Sequence, residues 1–174
     1  MRHVTCVGLI LSAVLGWNSV FSQEETAPGD AGGTMVINGS TTLDGTSLSG
    51  EITVNGSFTA SKAVLNSLEV NGQVTLKKCS VSGETVINGG LVATATKFGG
   101  EVSIASPKVS FDGCSVASLR VRGGLFLTGR QIVELRGGTH IDGPVVVESG
   151  NGEIWVFSGS KVLGSVEGAQ VIQK

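Results

Sequence analysis

The chain is poor in the residues from which most active sites are built. It has no tyrosine, two histidines and three cysteines among 174 residues, and charged residues make up only 15%. One of those histidines, His3, sits in a short basic start with Met1 and Arg2. His140 is therefore the only imidazole in the body of the chain, and with Asp142 it forms at most a fragment of a metal site or a base. No nucleophile motif, phosphate loop or dinucleotide fingerprint is present. The Gly-Gly pairs do not open a helix and so do not hold phosphate. Catalytic, cofactor-binding and metal-ligating sets are all expected to be absent, and the chain is read as a non-enzyme. Lysine and arginine number 12 against 14 aspartates and glutamates, a balance that excludes nucleic acid as a general partner and leaves no polybasic patch for anionic lipid.

Long apolar runs are also missing. The longest, Val4 to Trp17, is mostly apolar over 14 residues, short for a bilayer span. With the small residues of Val20-Phe21-Ser22 after it, the segment reads as a signal peptide over 1–22, cut before Gln23. An uncleaved amphipathic anchor is the alternative. Cys6 precedes most of the apolar run, which argues against lipidation. Export places the chain in the periplasm, outside the cell or on its surface, with no stable membrane span after cleavage. Residues 23–33, Gln-Glu-Glu-Thr-Ala-Pro-Gly-Asp-Ala-Gly-Gly, have nothing to bury and read as a flexible acidic lead-in. One domain over 34–174 follows.

What the chain does have is a period. Val-Ile-Asn-Gly at 36–39 returns as Val-Asn-Gly at 54–56 and 70–72 and as Val-Ile-Asn-Gly at 86–89. The asparagines Asn38, Asn55, Asn71 and Asn88 step by 17, 16 and 17 residues. Self-similarity at this spacing marks a solenoid. A finer beat runs inside it: Val54, Ala60, Leu65, Val70, Leu76, Val81, Ile87, Ala93, Phe98 and Ile104, in steps of five or six. Most of these residues have another apolar residue two places earlier, as Ile52 before Val54 and Phe58 before Ala60. Period two is the strand signal. Three short strands per coil give three faces, with glycine, serine, threonine and lysine at the corners. The fold class is therefore all-β, a triangular right-handed parallel β-helix of about 17 residues per coil. Four independent Asn-Gly hairpins in an antiparallel meander are the alternative, but hairpins do not need the five-six beat.

Stacking the coils puts the four asparagines above one another as a structural ladder that satisfies buried amides. The ladder ends at Ala105, its phase continues to Val121-Arg122-Gly123, and Leu135-Arg136-Gly137 reads as its next, tightened step. Later strands are expected at Leu125 to Leu127, Ile132 to Leu135, Val145 to Val147 and Ile154 to Phe157. Cys79 and Cys114 are 35 residues apart, two coils plus one residue. At about 4.8 Å per coil they are too far apart for a disulfide, so two buried free thiols are expected. Asn38 and Asn55 each head an Asn-Gly-Ser acceptor pattern, but both are claimed by the ladder.

Three surface features remain. Glu51, Glu84 and Glu101 share a phase, with Glu134 near it; Glu84 and Glu101 one coil apart have the spacing for Ca²⁺ or for paired glycosidase acids, or form a solvated corner. Arg120, Arg122, Arg130 and Arg136 gather in the second half as a basic strip or a solvated face. In Ile154-Trp155-Val156-Phe157, inward Ile154 and Val156 turn Trp155 and Phe157 outward, available to a glycan or partner or used as a terminal cap.

The repeats from Met35 to Val121, as in Leu68-Glu-Val-Asn-Gly-Gln-Val-Thr-Leu, resemble those of bactofilins, bacterial polymer-forming cytoskeletal proteins. The resemblance implies a right-handed triangular β-helix that joins end to end without nucleotide. Bactofilins lack an export signal, so the segment 1–22 moves the expected role to the cell envelope or surface. The coil is also similar to that of hexapeptide acyltransferases, but their strict six-residue beat and interface histidine are not reproduced. The expected function is an exported structural scaffold that self-associates through its coil ends, with a surface adhesin or glycan-binding module using Trp155 and Phe157 as the alternative.

Overall fold

The computed structural model describes residues 34–124 and 129–174. The signal-peptide and lead-in readings, Cys6 and the strand expected at Leu125 to Leu127 lie outside the described residues. Those described form strands and no helix, and every strand pairing is parallel. Asn38 lies opposite Asn55, Asn55 opposite Asn71, Asn71 opposite Asn88 and Asn88 opposite Ala105. Parallel neighbours need a long connection between them. Here that connection is the rest of the coil, so the chain is a β-solenoid in which residues about 17 apart stack.

Each coil visits three faces. The second face is an eight-stranded sheet running from Thr41–Asp44 and Phe58–Ser61 to Gly152–Val156 and Ala169–Gln173. The first and third faces share an eleven-stranded sheet. They merge because strands such as Ser47–Asn55 and Lys97–Ala105 turn the third corner without ending. That corner also absorbs irregularities in the count. Leu48 and Glu51 pair with Leu65 and Ser67, so Ser49-Gly50 in one coil faces Asn66 alone in the next. The missing residue is why the second asparagine step is 16 rather than 17.

Side chains alternate in and out along each strand, and the interior is a column of the apolar beat. Val54, Ala60, Leu65, Val70, Leu76, Val81, Ile87, Ala93, Phe98 and Ile104 are all at most 1% exposed, as are Ile52 and Phe58 before them. Phe98 meets Phe111 edge-on at 5.9 Å between ring centroids, a favoured aromatic geometry.

The Asn-Gly corner has a steric cause. Gly72 has φ +152 and Gly89 has φ +147, a region closed to residues with a Cβ. A Cβ at Gly72 would also strike the carbonyl oxygen of Gly56, and one at Gly89 that of Gly72. Glycines therefore stack because the coils approach too closely there for anything else. At the second corner, Lys62, Lys78 and Ala95 take left-handed φ values of 52, 55 and 49, a conformation that costs a non-glycine residue free energy.

The second half departs from the expected count. Val121 lies opposite Val147, not Leu135. Leu135 and Arg136 lie opposite Phe111 and Asp112 on the second face, so Leu135-Arg136-Gly137 is a second-corner segment and not a ladder step. Glu134 follows it onto that face, away from Glu84 and Glu101. The coil is larger here: Lys108 lies opposite Ile132, a step of 24 residues rather than 17. Gln131 is 1% exposed, and its Nε2 donates to the carbonyls of Arg122 at 2.9 Å and Ser106 at 3.2 Å, which ties the start of its strand to the ends of the two strands before it. Of the other late strands, Gln131–Arg136, Val145–Val147 and Gly152–Val156 lie where the pattern put them.

Candidate functional site

The asparagine ladder forms. Asn55 Nδ2 donates to Asn38 Oδ1 at 3.0 Å, Asn71 Nδ2 to Asn55 Oδ1 at 2.9 Å, and Asn88 Nδ2 to Asn71 Oδ1 at 2.6 Å. The four side chains are exposed rather than buried, because Asn follows the last inward residue of its strand and alternation turns it outward. The ladder is an external clasp on the first corner, not an internal polar spine.

Cys79 and Cys114 are buried and free. Thr96 stands between them: Lys97 lies opposite both Ser80 and Ser115, which puts Thr96 in the cysteine column. Thr96 Oγ1 accepts from the Cys79 backbone N–H at 3.4 Å, and Thr139 Oγ1 accepts from that of Cys114 at 3.1 Å. Burial pushes the Cys114 thiol above its ordinary range, and its Sγ donates to the Ala93 carbonyl at 3.3 Å. Both thiols belong to the core.

Glu51 lies opposite Ser67, and Glu101 opposite Ser118. Thr85 pairs with both Leu68 and Val102, so Glu84 sits between Ser67 and Glu101 in the same column. Glu101 is engaged elsewhere: Arg120 Nε donates to its Oε1 at 2.9 Å, and Glu148 approaches the same guanidinium at 3.6 Å. The hydrogen bond to Glu101 raises the Arg120 pKa. The short corner at Asn66 leaves an open groove of about 410 Å³ bordered by Glu51, Glu69 and Glu84. Among the described residues, none of these three carboxylates has an ion-pair partner, and no group of three His, Cys, Asp or Glu side chains is arranged to hold a metal.

The four arginines do not form one strip. Arg120 and Arg122 belong to the first face and its corner, Arg130 pairs with Glu153 at 2.6 Å, and Arg136 lies 3.5 Å from Glu134 at the second corner. Glu134 is itself nearly covered, with Lys108 Nζ at 3.0 Å. Burial alone would raise its pKa; the hydrogen bond and charge of Lys108, joined by Arg136, outweigh that and hold it below the usual carboxylate range. His140 lies opposite Ser115 and Lys161 on the third face, with Asp142 exposed beyond it.

Ile154 and Val156 point inward at 0% and 2% exposure, and Trp155 and Phe157 are half-buried outside. Each ring is already in contact with a cation. Lys174 Nζ lies 4.6 Å from the Trp155 ring centroid, and Arg136 Cζ lies 3.6 Å from that of Phe157. Trp155 Nε1 donates to Glu153 at 2.8 Å.

The two ends of the stack differ. In the first rung, Leu43 is 2% exposed and Ile37 8%, with Met35 and Leu48 partly buried. In the last, Val171 occupies the inward column of Val133 and Ile154 yet is 46% exposed. Val162 and Val166 beside it are only partly buried, whereas Ile141 and Val145 directly beneath them are at 0%. An unpaired strand edge with an apolar cross-section is a template for another chain. Sequence reasoning named the open ends but missed their asymmetry, which follows from no residue pattern. No family model, no curated protein and no solved structure matches this chain.

Proposed function

We propose that this chain is an exported, non-catalytic scaffold of the cell envelope that self-associates through the ends of its coil stack. The single observation carrying the reading is the last rung: Val162, Val166 and Val171 sit at core positions, next to a free backbone edge, with nothing stacked on them among the described residues. A further rung covers them at little conformational cost, because the strands are already formed. The bactofilin-like repeats of Met35 to Val121 and the apolar segment within 1–22 support assembly and export respectively. The adhesin or glycan-binding alternative rests on Trp155 and Phe157; the cations already on both rings weigh against a sugar stacking there.

Sedimentation velocity over a concentration series tests the proposal. The wild-type chain is expected to grow in mass with concentration, and Val171→Lys to abolish that growth while its circular dichroism stays unchanged. A wild-type monomer at every concentration contradicts it.

A further inference from the structure

From Glu51 to Glu101 the chain carries four acidic and four basic side chains, and the coil sorts them by side. Glu51, Glu84 and Glu101 stand at the third corner, with Glu69 on the first face beside them. Lys62, Lys77, Lys78 and Lys97 gather at the second corner. Lys77 ends its second-face strand, Lys62 and Lys78 hold the bend, and Lys97 opens the third face one coil beyond Lys78. All four lysines are exposed, and among the described residues none has an ion-pair partner. The bend supplies an independent observation. Gly45, Lys62, Lys78, Ala95, Gly113 and Gly137 stack there, each directly after a paired residue of the second face. All six have a left-handed φ between 49 and 63. Glycine adopts that conformation freely, and three coils use it. Lys62 and Lys78 hold it under strain, and strained backbone gathers at functional positions.

We propose that this corner binds a linear polyuronate, a polysaccharide with one carboxylate per sugar, laid across the bend from the second face to the third. Lys62 and Lys78 are about 4.8 Å apart along the stack. Lys97 lies one coil above Lys78 and two residues past the bend, about 6.6 Å along the third face. Four ammonium groups on long stems thus cover three successive rungs and reach successive carboxylates. Each acts as a point charge that needs no fixed angle of approach. Thr59 and Thr75, exposed on the second face, and Ser80, opposite Lys97 on the third, offer hydroxyls to the sugar. Charge and shape select this occupant over other polyanions. The aromatic residues of these coils, Phe58 and Phe98, point inward at 0% and 1% exposure, so nothing here stacks on a nucleic-acid base. Asp44 and Asp112 stand on the same edge in the coils before and after the lysines. A flat anionic membrane would press on both, whereas a chain crossing the edge passes between them. The acids at the third corner repel a polyanion and keep it on the lysine side. Exposed lysines bind weakly one at a time, so the contact is sensitive to salt. The site lies on the flank of the stack and does not depend on the coil ends.

The test is isothermal titration of the full chain in low salt with a galacturonate oligomer, its methyl ester, a DNA duplex of similar total charge, and vesicles containing anionic lipid. The oligomer is expected to bind, to weaken as salt is added, and to bind more tightly than the other three. Lys62→Gly/Lys78→Gly is expected to raise its Kd at least about tenfold while the melting temperature stays level or rises, because glycine suits the bend. Lys77→Gln/Lys97→Gln is expected to weaken binding to a similar degree, and Lys161→Gln, three coils above Lys97 on the third face, to leave it unchanged. A wild-type chain that does not bind the oligomer, or a glycine variant that binds it like wild type, would overturn the proposal. So would equal binding of the methyl ester, or tighter binding of the duplex or the vesicles. A lower melting temperature in the glycine variant would assign the two lysines to the fold instead. None of these outcomes touches end association, which is read by sedimentation with Val171→Lys.

Discussion

Arg122 Nη2 donates to Asn88 Oδ1 at 2.6 Å, reaching across the coil in which Ala105 holds the ladder position. It takes up the last free acceptor of a chain of amides that begins at Asn38, and it also donates to the Ile87 carbonyl at 3.3 Å. The ladder is therefore closed by a residue 34 positions beyond its last asparagine. Asn71 makes a bond on each side, and Arg122 makes two at the end. A net hydrogen bond contributes about 0.5–1.5 kcal/mol, less where water competes. Asn71→Ala and Arg122→Ala are each expected to cost about 1–2 kcal/mol. Thermal melts in which neither substitution lowers the midpoint contradict the ladder as a mechanical clasp.

Thr85 is the one polar side chain in its inward column, between Leu68 and Val102. It is 0% exposed and its Oγ1 has no hydrogen-bond partner among the described residues. An unsatisfied buried hydroxyl costs about 1–3 kcal/mol. Thr85→Val keeps the shape and removes the penalty, so it is expected to raise stability by about 1 kcal/mol and the melting temperature by a few degrees. A lower melting temperature indicates that the hydroxyl has a partner.

Glu134 sets an acid limit on the fold. Its folded pKa lies below the ordinary value because Lys108 and Arg136 favour the carboxylate more than burial disfavours it. A depressed folded pKa means that the unfolded chain binds the proton more readily. The contribution is therefore fully present above about pH 5, fades as pH falls through the unfolded carboxylate range near pH 4, and is gone below the folded value. Urea midpoints measured from pH 7 down to pH 3 are expected to fall more steeply for wild type than for Glu134→Gln. Parallel curves mean that the pairs with Lys108 and Arg136 contribute nothing.

The architecture was legible because period-two alternation and the five-six beat are local, and every inward position they named from Val54 to Ile104 is buried. The Asn-Gly echo was legible for a different reason: stacked glycines with positive φ admit no substitute. The failures have separate causes. Leu135-Arg136-Gly137 carries the same apolar-polar-glycine signature as the ladder but closes the second corner, and the two corners are told apart only by which rung lies beneath. Glu134 was misplaced by the same slip. The ladder was expected inside because amide pairs were assumed to need burial, although alternation already put each asparagine on the outside of its strand. Arg122 was placed in the phase of the ladder and in a charge cluster but not as the donor that closes the ladder, since its bond to Asn88 skips a whole coil.

The central claim is that residues one period apart lie directly above one another, and an engineered disulfide tests it most directly. Thr42, Thr59 and Thr75 are exposed, successive members of one outward column on the second face. Adjacent members are about 4.8 Å apart along the stack, within disulfide range, and alternate members are about twice that, beyond it. Peptide mapping of oxidised, unreduced protein is expected to find the 42–59 crosslink in Thr42→Cys/Thr59→Cys and none between 42 and 75 in Thr42→Cys/Thr75→Cys. A 42–75 link without the 42–59 link would contradict the stacked register.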